Sequence, residues 1–124
     1  MTNAGLKYIN DVLEALDINY EFGEWTKNEI PDPYWVGEYN EVDGNEKEEN
    51  GFQETTFILT GTGQTWIGLQ NDKSIIEKNI SKTAILSDQT GIAVFYSASM
   101  IIPTGDAELK RIQINLQIKE WSVI

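Results

Sequence analysis

Residues 110–119, Lys-Arg-Ile-Gln-Ile-Asn-Leu-Gln-Ile-Lys, alternate polar and apolar side chains almost without interruption. Because successive side chains of a strand point to opposite faces, this period of two predicts a β-strand with one buried face. The other face is polar and uncharged in its middle, which is unusual for a surface open to water. One interpretation is that a neighbouring subunit packs on it, although solvated polar faces are the commoner case.

Apolar residues three or four positions apart predict two helices. The first, over residues 3–17, is amphipathic, and Thr2 or Asn3 is its expected N-cap. The second is expected over residues 67–79. The apolar positions that predict them are Leu6, Ile9, Val12, Leu13 and Leu16, and then Leu69, Ile76 and Ile80.

Five further segments are rich in β-branched and aromatic residues and are predicted strands. They cover residues 18–22, 34–39, 55–60, 83–86 and 92–98. The last of the five is nearly continuously apolar, which is typical of a strand buried on both faces. With the strand at 110–119, the predicted order is α-β-β-β-α-β-β-β. We therefore expect an α+β fold with two helices packed on a mainly antiparallel sheet.

A single domain is expected over residues 1–124, since the sequence shows neither an internal repeat nor a linker. Residues 26–33 contain two prolines and are a predicted loop. Residues 42–51, Val-Asp-Gly-Asn-Glu-Lys-Glu-Glu-Asn-Gly, are predicted to form an acidic hairpin loop.

The charge of the chain is unevenly distributed. The formal net charge is −11, and residues 1–62 account for all of it, with 14 acidic and three basic side chains. Residues 63–124 carry six of each. Such asymmetry indicates a polarised surface, with a solvated acidic loop as the simpler interpretation. A sequence pI near 4.2 argues against DNA binding through phosphate neutralisation.

The composition also limits the chemistry available to this protein. Without His or Cys, there are no disulfides, no thiolate metal sites, and neither the commonest metal ligand nor the commonest general base. The oxygens of Asp43, Asn45 and Glu49 resemble a calcium loop, but Lys47 and Glu48 occupy positions that an EF-hand gives to a ligand and to glycine. Gly61 and Gly63 lack the further residues of a phosphate cradle. We expect no metal, no cofactor and no catalytic activity, although a two-carboxylate hydrolase remains compatible with 20 acidic residues.

The first ten residues lack the basic, apolar and small-residue order of a signal peptide, and no apolar run approaches about 20 residues. These features predict a soluble, cytoplasmic-type domain without membrane contact.

Several tryptophans are candidate interface anchors, because Trp is favoured at interaction hot spots, although rings at the rim of a small core are more often lids on it. Trp25 and Trp121 lie at predicted element ends. Trp35 lies between Tyr34 and Tyr39 on a strand whose side chains alternate, so at least one of these rings is expected to be exposed.

Three segments resemble the tail terminator (tail completion) proteins of long-tailed phages and prophages of Gram-positive bacteria, which are often labelled minor capsid proteins. They are Phe-Gly-Glu-Trp at 22–25, Pro-Tyr-Trp-Val-Gly-Glu-Tyr at 33–39 and Thr-Phe-Ile-Leu-Thr-Gly at 56–61. The strongest match is residues 102–121, from Ile-Pro-Thr-Gly-Asp-Ala-Glu-Leu through the alternating strand to Lys-Glu-Trp. The resemblance extends over nearly the whole chain in the same order, and no single motif in it is catalytic.

The resemblance implies an α+β subunit of a ring, expected to be hexameric, at the head-proximal end of the virion tail. Such a ring caps the tail tube protein, stops its polymerisation and offers a surface to a head-completion or connector protein. Assembly would take place in the host cytoplasm, and genome DNA would pass through the lumen without specific binding.

A ring needs head-to-tail contacts between two different patches. We therefore expect acidic residues of one subunit to face basic residues of the next. The acidic candidates are Glu38, Glu41, Asp43, Glu46, Glu48 and Glu49, and the basic candidates are Lys82, Lys110, Arg111 and Lys119. Acidic residues along a lumen would also repel DNA phosphates.

Two other functions remain open. A head-closure or head–tail joining protein is also a small ring subunit. In another class, an acidic protein of this size can mimic DNA and inhibit a DNA-binding protein. A mimic needs carboxylates spaced along one surface, whereas seven acids crowd into residues 38–54 here.

Overall fold

The structure is a computed structural model that describes residues 1–41 and 53–122. Its elements follow one another as α1 (Asn3–Ala15), β1 (Tyr20–Phe22), β2 (Tyr34–Glu41), β3 (Gln53–Gly63), α2 (Trp66–Asn79), β4 (Lys82–Ile85), β5 (Thr90–Ile101) and β6 (Lys110–Ser122). The α+β class, with two helices and a mainly antiparallel sheet, is confirmed. The acidic loop predicted at 42–51 lies outside the described residues.

Six strands form one sheet in the order β1-β2-β3-β6-β5-β4. β1 runs parallel to β2, and every other neighbouring pair is antiparallel. The long strands β3 and β6 lie side by side in the centre, with Leu59 opposite Ile114. The first half of the chain therefore forms one side of the sheet and the second half forms the other.

The alternation predicted at 110–119 is confirmed. The strand, β6, extends past the predicted range to Ser122. Ile112, Ile114, Leu116 and Ile118 are buried, while the polar residues between them are partly exposed. Both helices contribute to the same core as these side chains, through Ile9 and Leu13 of α1 and Leu69 and Ile76 of α2. Both helices consequently pack on one face of the sheet, here called the covered face.

The two helices begin at threonine caps. Thr2 Oγ1 accepts from the N–H of Gly5 at 2.9 Å, and Thr65 Oγ1 accepts from the N–H of Gly68 at 3.1 Å. α1 ends at Ala15, before the predicted residue 17, because Asp17 takes a left-handed backbone angle, φ 59°. Strand β1 starts at Tyr20, two residues later than predicted.

Strand β5 differs from the prediction that it is buried on both faces. Gly91–Val94 are buried, but Phe95 and residues 97–101 are exposed. The reason lies in the neighbouring strand, because β4 is short and pairs only with Gly91–Val94. β5 continues past β4 for seven residues that pair on one side with β6 alone, among the described parts of the chain.

Candidate functional site

The structure removes Trp35 from the candidate surface residues. Its side chain is 0% exposed and lies in the core, on the covered face of β2. The ring packs on the backbone of Gly61, its cross-strand partner, where a Cβ atom would lie 2.6 Å from the indole. Its Nε1 donates to Asp72 Oδ2 at 2.9 Å. The expectation that Trp35 anchors an interface is therefore corrected, because burial in its own subunit leaves it nothing to offer a partner.

Trp25 and Trp121 are half-buried at the rim of the molecule. The Trp25 ring lies 5.4 Å from that of Tyr34, its Nε1 donates to Glu29 O, and Lys27 Nζ lies over its face. Trp121 packs on the backbone of Gly91, directly opposite it on β5. Trp25 thus lies beside Tyr34 and Trp121 lies over Gly91, and both rings keep some exposed surface.

The acidic candidates that the structure describes lie at one end of β2. Glu38 and Glu41 are exposed, and the amino group of Met1 forms an ion pair with Glu41. The remaining acidic candidates, Asp43, Glu46, Glu48 and Glu49, lie outside the described residues. With Glu21 on β1, the β1–β2 side of the sheet is acidic.

The basic candidates do not form one cluster. Arg111 and Lys119 lie on the face opposite the helices, at the two ends of β6, where Arg111 Nε donates to Thr62 Oγ1 and Lys119 lies 3.7 Å from Glu54. Lys110 points to the other face and donates to Ala107 O. Lys82 is exposed on the outermost strand, β4.

Neither helix packs on the second face of the sheet, here called the open face. Its centre holds cross-strand pairs of uncharged side chains from β3 and β6: Thr56 with Gln117, Ile58 with Asn115 and Thr60 with Gln113. Gln117 Nε2 donates to Thr56 Oγ1 at 3.1 Å, and Gln113 Nε2 donates to Asn115 Oδ1 at 3.1 Å. The charged residues of β3 and β6 lie only at the two ends of this face.

A second feature was not predicted from the sequence. A groove of about 450 Å³ lies between the start of α2 and the β5–β6 turn, lined by Trp66, Ile101, Ile102, Pro103 and Leu109 among others. Ile101 is 61% exposed, and Trp66 and Leu109 are also exposed. The signal in the sequence is the apolar run Met-Ile-Ile-Pro at 100–103, which continues past the point where burial ends. Exposed apolar clusters of this kind mark interaction surfaces.

Two titratable groups beside the core have pKa values that burial shifts. Burial raises the pKa of the Tyr20 hydroxyl, which donates to Asn10 Oδ1 at 2.6 Å. Burial also raises the pKa of Asp72, and the hydrogen bond from Trp35 partly offsets this effect. These two groups lie beside the core, where each has a structural partner.

Within residues 1–41 and 53–122, no group of three or more acidic side chains is arranged to hold a metal ion. None of the described helices is long and apolar enough to cross a membrane.

The chain matches no known protein-family model and no curated protein. The geometry of the described residues and the resemblance in the sequence are therefore what point to a function.

Proposed function

We propose that this protein is a ring-forming structural subunit of a phage tail, a tail terminator that caps the tail tube and presents a surface for joining to the head. The observation that carries the proposal is the unlike charge of the two sides of the sheet. The β1–β2 side carries Glu21, Glu38 and Glu41, whereas β5 has no charged residue and β4 carries only Lys82. Unlike sides are what a head-to-tail ring contact requires.

The open face supports the same proposal. Neither helix covers this face, and its centre of Thr, Asn and Gln offers no positive charge to phosphates, which suits a surface that faces either a subunit or a passage for DNA. The exposed apolar groove at the β5–β6 turn provides a further surface, separate from the sheet edges, for an axial partner such as the tube.

The test is a capping assay with the tail tube protein from the genome that encodes this chain. Tube protein polymerises alone or with the purified chain, and negative-stain electron microscopy measures tube length and end shape. We expect a ring at one end of each tube and growth that stops when the chain is added. Tubes of unchanged length with bare ends would refute the proposal.

Three alternatives would be recognised by other observations. A head-closure protein would leave the tubes bare and bind the connector protein instead. An acidic DNA mimic would bind neither, and would retain a DNA-binding protein in a pulldown that is lost at high salt. An enzyme would need a pocket that brings two or more acids with raised pKa values together.

A further inference from the structure

Besides the outer edges of β1 and β4, two inner strands extend past these short neighbours among residues 1–41 and 53–122, on opposite sides of the sheet. β1 pairs with Trp35–Gly37 of β2, so Glu38–Glu41 continue without a neighbour on that side. β4 pairs with Gly91–Val94 of β5, and Tyr96 N donates to Ser81 Oγ, so the outer side of β5 continues without a strand partner after Tyr96. We call Glu38–Glu41 the acidic edge and Ser97–Ile101 the neutral edge.

The backbone of the neutral edge presents free hydrogen-bonding groups. Ile102 N donates to Arg111 O at 3.1 Å, and Met100 and Ala98 face Gln113 and Asn115 in the same ladder. Because the direction of the N–H and C=O groups alternates along a strand, those of Ser99 and Ile101 point away from β6. These groups form the template that another strand needs.

The acidic edge is arranged in the same way. Trp35 N donates to Asn19 O at 2.7 Å, and Gly37 O accepts from Gly23 N at 2.8 Å, so residues 35 and 37 point towards β1. By the same alternation, the N–H and C=O groups of Tyr39 and Glu41 point outwards beyond the end of β1.

The side chains decide between self-pairing and mixed pairing. The neutral edge, Ser-Ala-Ser-Met-Ile, has none of the charges or prolines with which proteins usually protect an edge strand. The acidic edge carries two glutamates, which oppose pairing with its own copy through like-charge repulsion. The neutral edge carries no charge, so the acidic edge fits it better than it fits its own copy.

We propose that the neutral edge of one copy of this chain pairs with the acidic edge of the next copy, continuing the sheet from subunit to subunit. The inference rests on the proposed function for its ring geometry, and it names the contact that makes the ring. β2 and β5 run in opposite directions within one subunit, since three antiparallel ladders separate them. Copies in like orientation therefore pair in antiparallel fashion.

The register follows from which residues point outwards. Tyr39 placed opposite Ile101 and Glu41 placed opposite Ser99 join outward-pointing residues whose side chains all lie on the covered face. This register leaves Gly37 to β1, since Gly37 O already accepts from Gly23 N. Within a subunit Tyr39 is level with Leu116 and Ile101 with Ile112, so neighbouring copies shift by four residues, about 14 Å. A closed sheet requires such a stagger.

The first test is Ser99→Pro, with Ser99→Ala as the matched control. Proline removes an N–H that points away from β6, so the fold keeps its internal ladder while the edge is blocked. Native mass spectrometry and sedimentation measure self-association, and circular dichroism checks the fold. We expect wild type and Ser99→Ala to assemble alike and Ser99→Pro to associate at least about tenfold more weakly. Equal assembly of the folded proline variant would overturn the inference.

The second test is a charge exchange between Glu41 and Ser99, which lie opposite each other in this register. Ser99→Glu places like charges at the contact and should weaken assembly, while adding Glu41→Lys should restore it. A double variant that assembles no better than Ser99→Glu alone contradicts the proposed register. Assembly that Glu41→Lys alone leaves unchanged, and that Ser99→Glu weakens even in the double variant, indicates self-pairing of the neutral edge and overturns the inference.

The outcomes separate this inference from the proposed function. If wild type caps tubes and Ser99→Pro caps them equally well, the edge contact is wrong and the tail function stands. If wild type assembles through the edges but tubes stay uncapped, the contact stands and the function is wrong. A wild-type chain that stays monomeric both alone and with tube protein overturns the edge contact.

Discussion

Thr2 and Glu120 are joined across the whole length of the chain. Thr2 Oγ1 donates to Glu120 Oε2 at 2.5 Å, and Thr2 N donates to the same carboxylate at 3.2 Å. The Thr2 hydroxyl also accepts from Gly5 N as the N-cap of α1. The start of the first helix is thus fixed to the end of the last strand.

Removing the Glu120 carboxylate should destabilise the fold. Glu120 is 3% exposed, and Glu120→Ala leaves the Thr2 donors without their partner, a loss of about 1–3 kcal/mol in the free energy of unfolding. Glu120→Gln keeps an acceptor and should lose less. Urea denaturation measures both, with exposed Glu108→Ala as the control. Equal stability of Glu120→Ala and the control would contradict this role.

Gly61 should not tolerate a side chain. The Cβ of Gly61→Ala would lie 2.6 Å from the fixed indole of Trp35, and such overpacking costs about 1–3 kcal/mol. The smaller ring of Trp35→Phe should relieve part of the clash, so the double variant should lose less than the sum of the two single variants. Thermal unfolding of all four proteins measures the coupling. Additive losses would show that the two side chains do not compete for the same space.

Asp72 should make stability fall slightly as pH rises. Its pKa is raised in the folded protein, so the unfolded chain ionises first, and stability is lost as pH rises from the usual range of an Asp through the raised pKa. Asp72→Asn keeps an oxygen for Trp35 Nε1, so its stability relative to wild type should rise as pH increases through the raised pKa of Asp72. Urea midpoints across that range test this. A constant difference at all pH values would exclude the effect.

Charge reversal at the start of β6 should impair assembly without unfolding the subunit. Lys110→Glu with Arg111→Glu changes both faces of the strand, since the two side chains point in opposite directions. We expect fewer rings at tube ends by electron microscopy, and each single variant then shows which face is responsible. Lys7→Glu with Lys73→Glu makes the same change in charge on the helices. Normal rings and full-length tails from the β6 variant would remove these residues from the interface.

Much of the fold follows from local periodicity. The alternation in β6 and the helical stripe of α1 are each determined by which side chains must be buried, so the sequence alone predicts them. The exposed half of β5 depends instead on the length of β4, a distant neighbour. The apolar pattern of residues 92–98 carries no information about where that partner ends.

The candidate site was less predictable for the same reason. Trp35 is aromatic and lies on a strand that alternates faces, but only the tertiary fold shows that it lies over Gly61. The unpaired edges exist because β1 and β4 are short. The amino-acid pattern of these two segments is too weak to predict where each strand ends. The uneven charge of the chain, by contrast, could be predicted from the sequence. The strand order alone then places the acidic first half on one side of the sheet.

The central β3–β6 ladder is a seam between two parts of the chain that differ in their electrostatics. Its middle pairs, such as Ile58 with Asn115 and Leu59 with Ile114, carry no charge. Substitutions that alter the acidity of the β1–β2 side therefore leave the seam and the β4–β5 side untouched. If identical copies pair edge to edge as proposed, the two flanks are each other's partners, so a change on one flank calls for a matching change on the other while the seam between them stays as it is.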